Sequence, residues 1–562
     1  MMSKPAQHWE NAQEQLAPES PKTVADVILT ALSQAGVDVM FGFPGETSLP
    51  LYLAAQRQQR VRHVLARCPR CAGYMADAFA RVSGRVGACD APGGIGSPFT
   101  IPALLESYNS SVPLVFISSG TARHRRGRWT TGECAQQELF GAVTKFSERI
   151  EVPDDVVGRV IAAVRHALSP RSGPVYLEIP SDLFSLPTPD MSWADRHALL
   201  PKAAPAPHVT ALVARHIKAA ASAVIIAGGG VHLGGAEEEL RALIQATGLP
   251  VATTLNGKGA IDERLPNALG VTGAKGSFTA NDAVQSADCI VVLGSKLGDK
   301  STNGYRWPSA KQTLFHVDSS ATELSRFGHP GIPVLSDAGV FCQALMRELG
   351  DYHYEGTINP PASPFWAPGL SDYLCKRLTP ELEDEDVVVA DASVSSGWAG
   401  AALRLYGARR RLLTPRGSGS ISYALPASLG AKIARPQARI FAIGGDAGFA
   451  MAMHEMETAV RNDLPITYFL LNNERLGLID RHATELSGGQ PISSKFSHLD
   501  WQSIAPAMGW RSYKVTSGDE LDKIWETICD AAVPTLVECV VPPDEEAPDY
   551  IVTREHARKG RS

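Results

Sequence analysis

The sequence predicts an α/β protein with three doubly wound parallel-sheet domains. Its 562 residues are too many for one hydrophobic core, because domains usually run to roughly 100 to 200 residues. Short β-branched runs are each followed by a glycine-rich turn and then by helical periodicity, which is typical of parallel sheets covered by helices. These runs form three groups, and proline-rich stretches separate the groups.

The first group predicts a domain over residues 21–185. Its strand-like runs lie at 38–46, 85–94, 113–120 and 173–180. A linker rich in proline and alanine follows, from residue 183 to about residue 208.

The second and third groups predict domains over residues 208–350 and 370–550. An extended connector over residues 350–369, rich in prolines and aromatic residues, separates them. The strand-like runs of the second domain lie at 222–230, 249–255, 288–299 and 313–318. Those of the third lie at 386–397, 438–449, 464–474 and 534–541. No short-period repeat relates the groups.

Composition excludes several classes of protein. Hydrophobic residues make 44% and charged residues 20% of the chain, an ordinary globular balance. Fifty-three basic against 59 acidic residues give a net charge of −6, which argues against binding nucleic acid or an anionic membrane. Nine cysteines without framework spacing indicate a reducing compartment. No secretory signal or long apolar run is present, so we expect a cytoplasmic protein.

The stretch over residues 442–477 is the most informative part of the sequence. It predicts a strand, a glycine turn, a helix and a second strand. Met453, Met456 and Val460 lie at the spacing of one helical face, and Pro465 ends the helix before the next strand.

This stretch also predicts a metal site. The strands of a parallel βαβ unit end at the same edge of the sheet, so we expect Asp446 and Asn473, 27 positions apart, to meet there. A carboxylate and an amide oxygen suit Mg²⁺ with diphosphate oxygens. Taken alone, Asp446 could cap a helix and Asn473 could form a turn. The nearby glycines let the backbone approach phosphate oxygens: Gly444, Gly445 and Gly448.

The segment resembles the thiamine-diphosphate motif, in which GDG is followed at a distance by NN. Here Ala447 replaces the third glycine, and Gly445 and Gly448 flank the Asp446–Ala447 pair. The resemblance implies that Asp446, Asn473 and the main-chain carbonyl of Arg475 bind Mg²⁺. It also implies that the three domains are a pyrimidine-binding, a central and a diphosphate-binding domain.

Two other segments of the third domain resemble cofactor contacts of this family. Residues 416–434 resemble the segment against the aminopyrimidine, with Ile421 as an apolar wedge and N–H donor and Gly419 as a carbonyl acceptor. Residues 390–398 resemble a diphosphate-side loop with Ser395 and Ser396 as donors. Without the resemblance, the first is a turn before a buried helix and the second a common hydroxyl-rich turn.

The first domain lacks one expected carboxylate. Residues 41–52 and 66–84 resemble acetolactate synthase-like enzymes and their relatives, in which a glutamate hydrogen-bonds the cofactor's pyrimidine nitrogen; Pro69 stands at that position. Proline cannot donate or accept with its side chain. Three explanations stay open: cofactor activation is slow, another carboxylate such as Glu46 compensates, or catalysis is lost. Glu46 could equally be an exposed turn residue.

Further candidates are weaker. The resemblance places Gln136 near the cofactor, although glutamines in a polar loop are usually solvated. Cys68 and Cys71 form a C-x-x-C pair that could be redox-active or bind a metal, with buried inert thiols as the default.

The glycines of residues 225–235 do not match the spacing of the dinucleotide-binding motif, because Leu233 stands at the last glycine position. The resemblance leaves FAD open in the central domain.

The resemblance implies a thiamine-diphosphate-dependent carboligase or lyase, which acts on a 2-oxo acid or related donor and transfers the carbanion equivalent to an acceptor. Alternatives of the same fold are a 2-oxo acid decarboxylase and an FAD-containing oxidase. The non-enzymatic alternative is a regulatory or binding subunit that retains the cofactor. Because the family builds its site between two chains, the resemblance also implies a homodimer or homotetramer acting on small molecules.

Overall fold

Three separate six-stranded sheets, each with all strands parallel, form the framework of the molecule. The computed structural model describes residues 22–188, 201–326, 331–356, 366–407, 411–488 and 492–543, together with residues 490, 545 and 548. The N-terminal segment and the middle of both predicted linkers, residues 1–21, 189–200 and 357–365, lie outside the described residues. Each sheet falls within one of the three predicted domain ranges, whose exact boundaries stay a prediction.

The first and third sheets share one strand order. The first sheet has the order β2-β1-β3-β4-β6-β5, with β1 Val39–Gly42, β2 Arg62–Leu65, β3 Gly87–Ala91, β4 Leu114–Gly120, β5 Phe146–Arg149 and β6 Pro174–Pro180. The third has the order β14-β13-β15-β16-β18-β17, with β13 Val387–Ala390, β14 Arg411–Leu413, β15 Ile440–Gly445, β16 Thr467–Asn472, β17 Arg511–Val515 and β18 Thr535–Val540.

The middle sheet has a different order, β12-β11-β10-β7-β8-β9. Its strands are β7 Ala223–Ala227, β8 Val251–Thr253, β9 Ala268–Val271, β10 Cys289–Leu293, β11 Thr313–Asp318 and β12 Ile332–Leu335. This is the strand order of dinucleotide-binding folds, with the topological switch point between β7 and β10.

The sequence runs predicted the four inner strands of each sheet and missed both edge strands of each. Inner strands are continuous apolar runs because helices cover both faces. Edge strand β5 is only half-buried along its length, and β2 buries Val64 alone. These two strands carry no apolar run for the sequence to reveal.

Helices connect the strands throughout. They are α1 Val24–Gln34, α2 Leu49–Gln58, α3 Pro69–Ser83, α4 Ile101–Ser110, α5 Gln136–Gly141, α6 Val156–Leu168, α7 Pro207–Ala219, α8 Gly229–Leu233, α9 Glu237–Thr247, α10 Phe278–Ser286, α11 Ala321–Arg326, α12 Ala338–Leu349, α13 Leu370–Glu381, α14 Val394–Ala401, α15 Ala424–Ala434, α16 Asp446–Ala450, α17 Met456–Arg461, α18 Gly477–Ser487, α19 Trp501–Ala507 and α20 Gly518–Cys529. Short 3-10 helices lie at Glu46–Ser48, Pro98–Thr100, Arg123–Arg125, Pro153–Asp155, Leu255–Gly257 and Met453–Glu455.

The helix predicted between the third and fourth runs of the last domain is not continuous. It divides into α16, the 3-10 helix Met453–Glu455 and α17. Met456 is buried, but Met453 and Val460 are exposed. The prediction of one apolar face across these three residues was therefore wrong, because the chain changes helical geometry between them.

The first and third sheets share one hydrophobic core within the chain. Helix α3 of the first domain packs against α15 of the third so closely that a Cβ on Gly430 would lie 2.1 Å from the carbonyl oxygen of Met75. This contact fixes how the two domains meet. Among the helices of the described residues, none combines the length and apolar composition needed to span a lipid bilayer.

Candidate cofactor site

Asp446 and Asn473 lie together at the carboxyl edge of the third sheet, as their spacing predicts. Gly445, at the end of β15, pairs with Leu471 near the end of β16, and Asp446 begins α16. Burial raises the pKa of the Asp446 carboxyl to about 6, the N–H groups of Asp446, Ala447 and Asn473 lower it, and the charge of Glu474 raises it further. No ion pair links Asp446 to a basic side chain in the described part of the chain.

A cavity of about 560 Å³ opens beside Asp446. Ile421 and Ala447, two of the predicted cofactor contacts, line it, and its apolar walls include Met451, Phe496 and Trp501. Every described lining residue lies between residues 421 and 501. No described residue of the first domain is therefore among those that line this cavity.

Asn473 and Arg475 are not among the described residues that line this cavity, although their neighbours Asn472, Glu474 and Leu476 are. The N–H of Arg475 donates to Oδ1 of Asn473 at 3.3 Å. The Arg475 guanidinium turns away to Asp480, at 2.9 Å. The magnesium roles of Asn473 and of the Arg475 carbonyl stay predictions.

Asp391 is a residue of this site that the sequence analysis missed. It lies directly after β13. Its carboxylate accepts hydrogen bonds from the N–H groups of Ser422 and Tyr423 at 2.9 and 3.0 Å, and these bonds hold the loop next to Ile421. Burial raises its carboxyl pKa to about 6. A Cβ on Gly448 would lie 2.3 Å from Asp391 Oδ2. The sequence feature that could have revealed Asp391 is its position directly after a predicted strand, inside residues 390–398.

The other expected cofactor contacts are not among the described residues that line this cavity. Gly419 is exposed in a left-handed backbone conformation with φ of +70°. Ser395 and Ser396 are buried in α14, and the Ser396 hydroxyl donates to the Ser393 carbonyl at 2.9 Å. Neither serine lines the cavity beside Asp446, so their role as diphosphate donors stays a prediction.

Glu106 is a second residue that the sequence analysis did not single out. This fully buried carboxylate of α4 accepts the N–H groups of Gly417 and Ser418 at 2.9 and 2.6 Å. It also pairs with Arg81 at 2.9 Å. Burial opposes its charge, but Arg81 and these donors hold the pKa of its carboxyl below its usual value. The first domain thus shapes the start of the loop that carries Ile421.

Glu46 and Gln136 lie at the carboxyl edge of the first sheet. Glu46 is exposed in the turn after β1. Gln136 is buried, with Nε2 donating to the Ser119 carbonyl at 3.1 Å and Oε1 accepting from Ser97. The alternative of a solvated glutamine at 136 is therefore wrong, because α5 holds this side chain against the end of β4.

Pro69 is the first residue of α3, where its missing N–H costs nothing. Cys68 precedes it and Cys71 follows it at the third helical position. A hydrogen bond from the Cys71 thiol lowers the pKa of the Cys68 thiol to about 4, although burial opposes this. All nine cysteines of the chain are free.

A second cavity, of about 460 Å³, lies at the carboxyl edge of the middle sheet. Gly230 and Gly294, after β7 and β10, meet there with room for no side chain, since a Cβ on Gly230 would lie 2.7 Å from Gly294 Cα. Lys296 and Arg416 supply positive charge to its wall. The cavity sits at the topological switch point of this sheet.

Three protein-family models match the chain. The model described as "Thiamine pyrophosphate enzyme, N-terminal TPP binding domain" matches residues 22–139, the central-domain model matches 210–345, and the C-terminal TPP binding domain model matches 391–539. The three models follow the order of the three sheets.

Curated relatives match along most of the chain. An acetolactate synthase of Mycobacterium bovis is 31% identical over 480 residues, which cover 81% of this chain and 77% of the relative. A probable acetolactate synthase large subunit of Methanocaldococcus jannaschii is 28% identical over 93% of each chain. An acetolactate synthase large subunit of Lactococcus lactis is 27% identical over 94% of each chain.

Proposed function

We propose a function from one premise: the chain belongs to the thiamine pyrophosphate enzyme family. The sequence predictions of this family and of three parallel-sheet α/β domains are therefore confirmed. The chain is a thiamine-diphosphate-dependent carboligase that acts on a 2-oxo acid, similar to acetolactate synthases. The comparisons favour this function over a simple decarboxylase, an oxidase or a regulatory subunit.

One observation of the structure carries the proposed cofactor site: the buried Asp446 carboxylate faces a cavity without a basic partner among the described residues. A buried carboxylate that lacks a cation is costly, so the residues fit a bound Mg²⁺. We assign Asp446, the Asn473 side chain and the Arg475 carbonyl to this ion, because all are oxygen donors at one sheet edge.

Thiamine diphosphate, when bound, supplies a carbon nucleophile for the carbonyl of a 2-oxo acid. The chain's own residues orient and shield it. Ile421 forms an apolar wall of the cavity, and its loop is held in place by the hydrogen bond from the Ser422 N–H to Asp391. Phe496, Leu499 and Trp501 keep the other side of the cavity apolar. A dry site of this kind disfavours protonation and favours transfer to an acceptor.

The active assembly contains at least two chains. The cavity beside Asp446 takes all its described lining residues from one domain, which supports a site that a second chain completes. We assign that wall to the first-sheet edge of a second copy, which carries Glu46 and Gln136. A homodimer or a dimer of such dimers fits this proposal.

The central cavity supports a second, phosphate-bearing ligand, and FAD is our assignment. Its glycine loops and its position at the switch point suit a nucleotide, and burial lowers the pKa of Lys296 to about 8 without removing its positive charge at neutral pH. A yellow protein with flavin absorbance after purification would support this assignment, and a colourless protein that takes up no added FAD would refute it. The cytoplasmic location stays a prediction.

The test of the proposed function is product analysis. Purified protein is incubated with thiamine diphosphate, Mg²⁺ and a panel of 2-oxo acids, and products are identified by mass. We expect products with a new carbon–carbon bond. Aldehydes alone would instead identify a decarboxylase, flavin bleaching by substrate an oxidase, and cofactor binding without turnover a regulatory subunit.

A further inference from the structure

A cluster of soft metal ligands lies outside the candidate cofactor site. The donor atoms of Cys68, Cys71 and His454 all lie within 4.8 Å of one another. The Cys71 Sγ atom and the His454 Nε2 atom are 3.6 Å apart. The cysteines belong to the first domain and the histidine to the third, so the cluster exists only where the two domains meet.

Local structure explains why the two thiols face the same point. Cys68 is the N-cap of α3 and Cys71 is its third helical residue, one turn further along. Pro69 between them fixes the backbone dihedral with which the helix begins. The backbone positions of the two cysteines are therefore defined by the start of α3, and their sulfur atoms lie within 4.8 Å of each other.

Contacts across the domain boundary hold His454 against these thiols. Buried Glu455 accepts the N–H of Arg67 at 3.0 Å and the hydroxyl of Thr458 at 2.6 Å. The Arg70 guanidinium donates to the Met451 carbonyl at 2.7 Å. The 3-10 helix with His454 is thus fastened on both sides of the histidine.

We propose that Cys68, Cys71 and His454 bind one Zn²⁺ ion. In a tetrahedral site, Zn–S bonds of about 2.3 Å and a Zn–N bond of about 2.0 Å place sulfur and nitrogen about 3.5 Å apart. The Cys71–His454 separation of 3.6 Å is close to this distance. Each thiol releases its proton on binding, and no electron is transferred.

A water completes the four-coordinate ion in this proposal. Glu455 Oε1 lies 3.5 Å from His454 Nε2, where it can accept a hydrogen bond from that water. Two thiolates and an imidazole select zinc over magnesium, which prefers oxygen ligands. This proposal is independent of the function proposed above.

The position of the ion gives it a consequence for the neighbouring cavity. Met451, three residues before His454, lines the cavity beside Asp446. An ion bound by both domains would hold the segment from Met451 to Glu455 against α3. It would thereby fix one wall of the cofactor cavity.

Cobalt titration tests the proposal. Full-length protein, kept reduced, is stripped with a chelator that binds zinc but spares magnesium, and is then titrated with Co²⁺. We expect a sulfur-to-cobalt absorption band in the near ultraviolet, saturating at one ion per chain and removed by Zn²⁺. Cys68→Ser and His454→Ala should each weaken binding by at least about tenfold.

Two matched variants serve as controls. Cys134→Ser removes an exposed cysteine of the first domain, and His498→Ala removes an exposed histidine of the third; both should bind Co²⁺ like the unaltered protein. Because Cys68 and His454 are only half-buried, their variants should fold, which circular dichroism checks. If one of these two variants does not fold, Co²⁺ binding by the other variant tests the proposal. Absence of the band in reduced protein, or its retention in both ligand variants, would overturn the proposal.

Discussion

Asp391 Oδ2 lies 2.3 Å from the point where a Cβ on Gly448 would stand. The two residues follow neighbouring strands β13 and β15 of the third sheet. Position 448 therefore needs a glycine, because any larger side chain would collide with the Asp391 carboxylate. Asp391 in turn accepts hydrogen bonds from the N–H groups of Ser422 and Tyr423. The positions of Asp446 and Ile421 are coupled through this pair.

Gly448→Ala should therefore destabilise the protein, by about 1 to 3 kcal/mol, because the added methyl group must displace a buried carboxylate. Gly445→Ala is the matched control. Among the described residues, its Cβ would come within 4.0 Å of the Leu471 carbonyl oxygen alone. Denaturant unfolding of both variants checks the difference, and equal stability of the two would contradict it.

Asp446→Ala should abolish magnesium-dependent uptake of thiamine diphosphate, because it removes the buried carboxylate proposed to bind the ion. Calorimetry with the cofactor at saturating Mg²⁺ measures this. Asp154→Ala, at an exposed position of the first domain, should bind like the unaltered protein. Undiminished uptake by Asp446→Ala would refute the assignment.

Cofactor binding should weaken in acid. Burial raises the Asp446 carboxyl pKa to about 6, with Glu474 adding repulsion, and buried Asp391 and Tyr468 lie nearby. Protons compete with Mg²⁺ for the carboxylate, so affinity is full above pH 6 and is lost as the pH falls through that value, by up to about tenfold per unit. Asp446→Asn should bind weakly with a much flatter pH dependence. An affinity of the unaltered protein that is constant through pH 6 would contradict this.

Pro69→Glu should accelerate turnover of a 2-oxo acid by about a hundredfold to ten-thousandfold if a relay carboxylate is what the site lacks. The position tolerates the change because it is the first residue of α3, where an acidic side chain is favourable. Pro69→Gln is the control of equal size without a titratable proton. Steady-state rates compare the two, and equal rates would show that position 69 does not perform this function.

The sequence predicted those features that depend on residues close together in the chain. The spacing of Asp446 and Asn473 predicted their meeting because a parallel βαβ unit returns both strand ends to one edge. Glu106 and His454 escaped prediction because their partners are more than three hundred residues away in the chain. Edge strands such as β2 and β5 escaped because they carry no continuous apolar run.

The carboxylate of Glu106 governs the backbone of Gly417 and Ser418 across a boundary between sheets. The C-terminal third of the polypeptide therefore cannot be exchanged between relatives as an independent unit. A chimera that imports this portion from a relative should work only when α4 and its glutamate are imported with it.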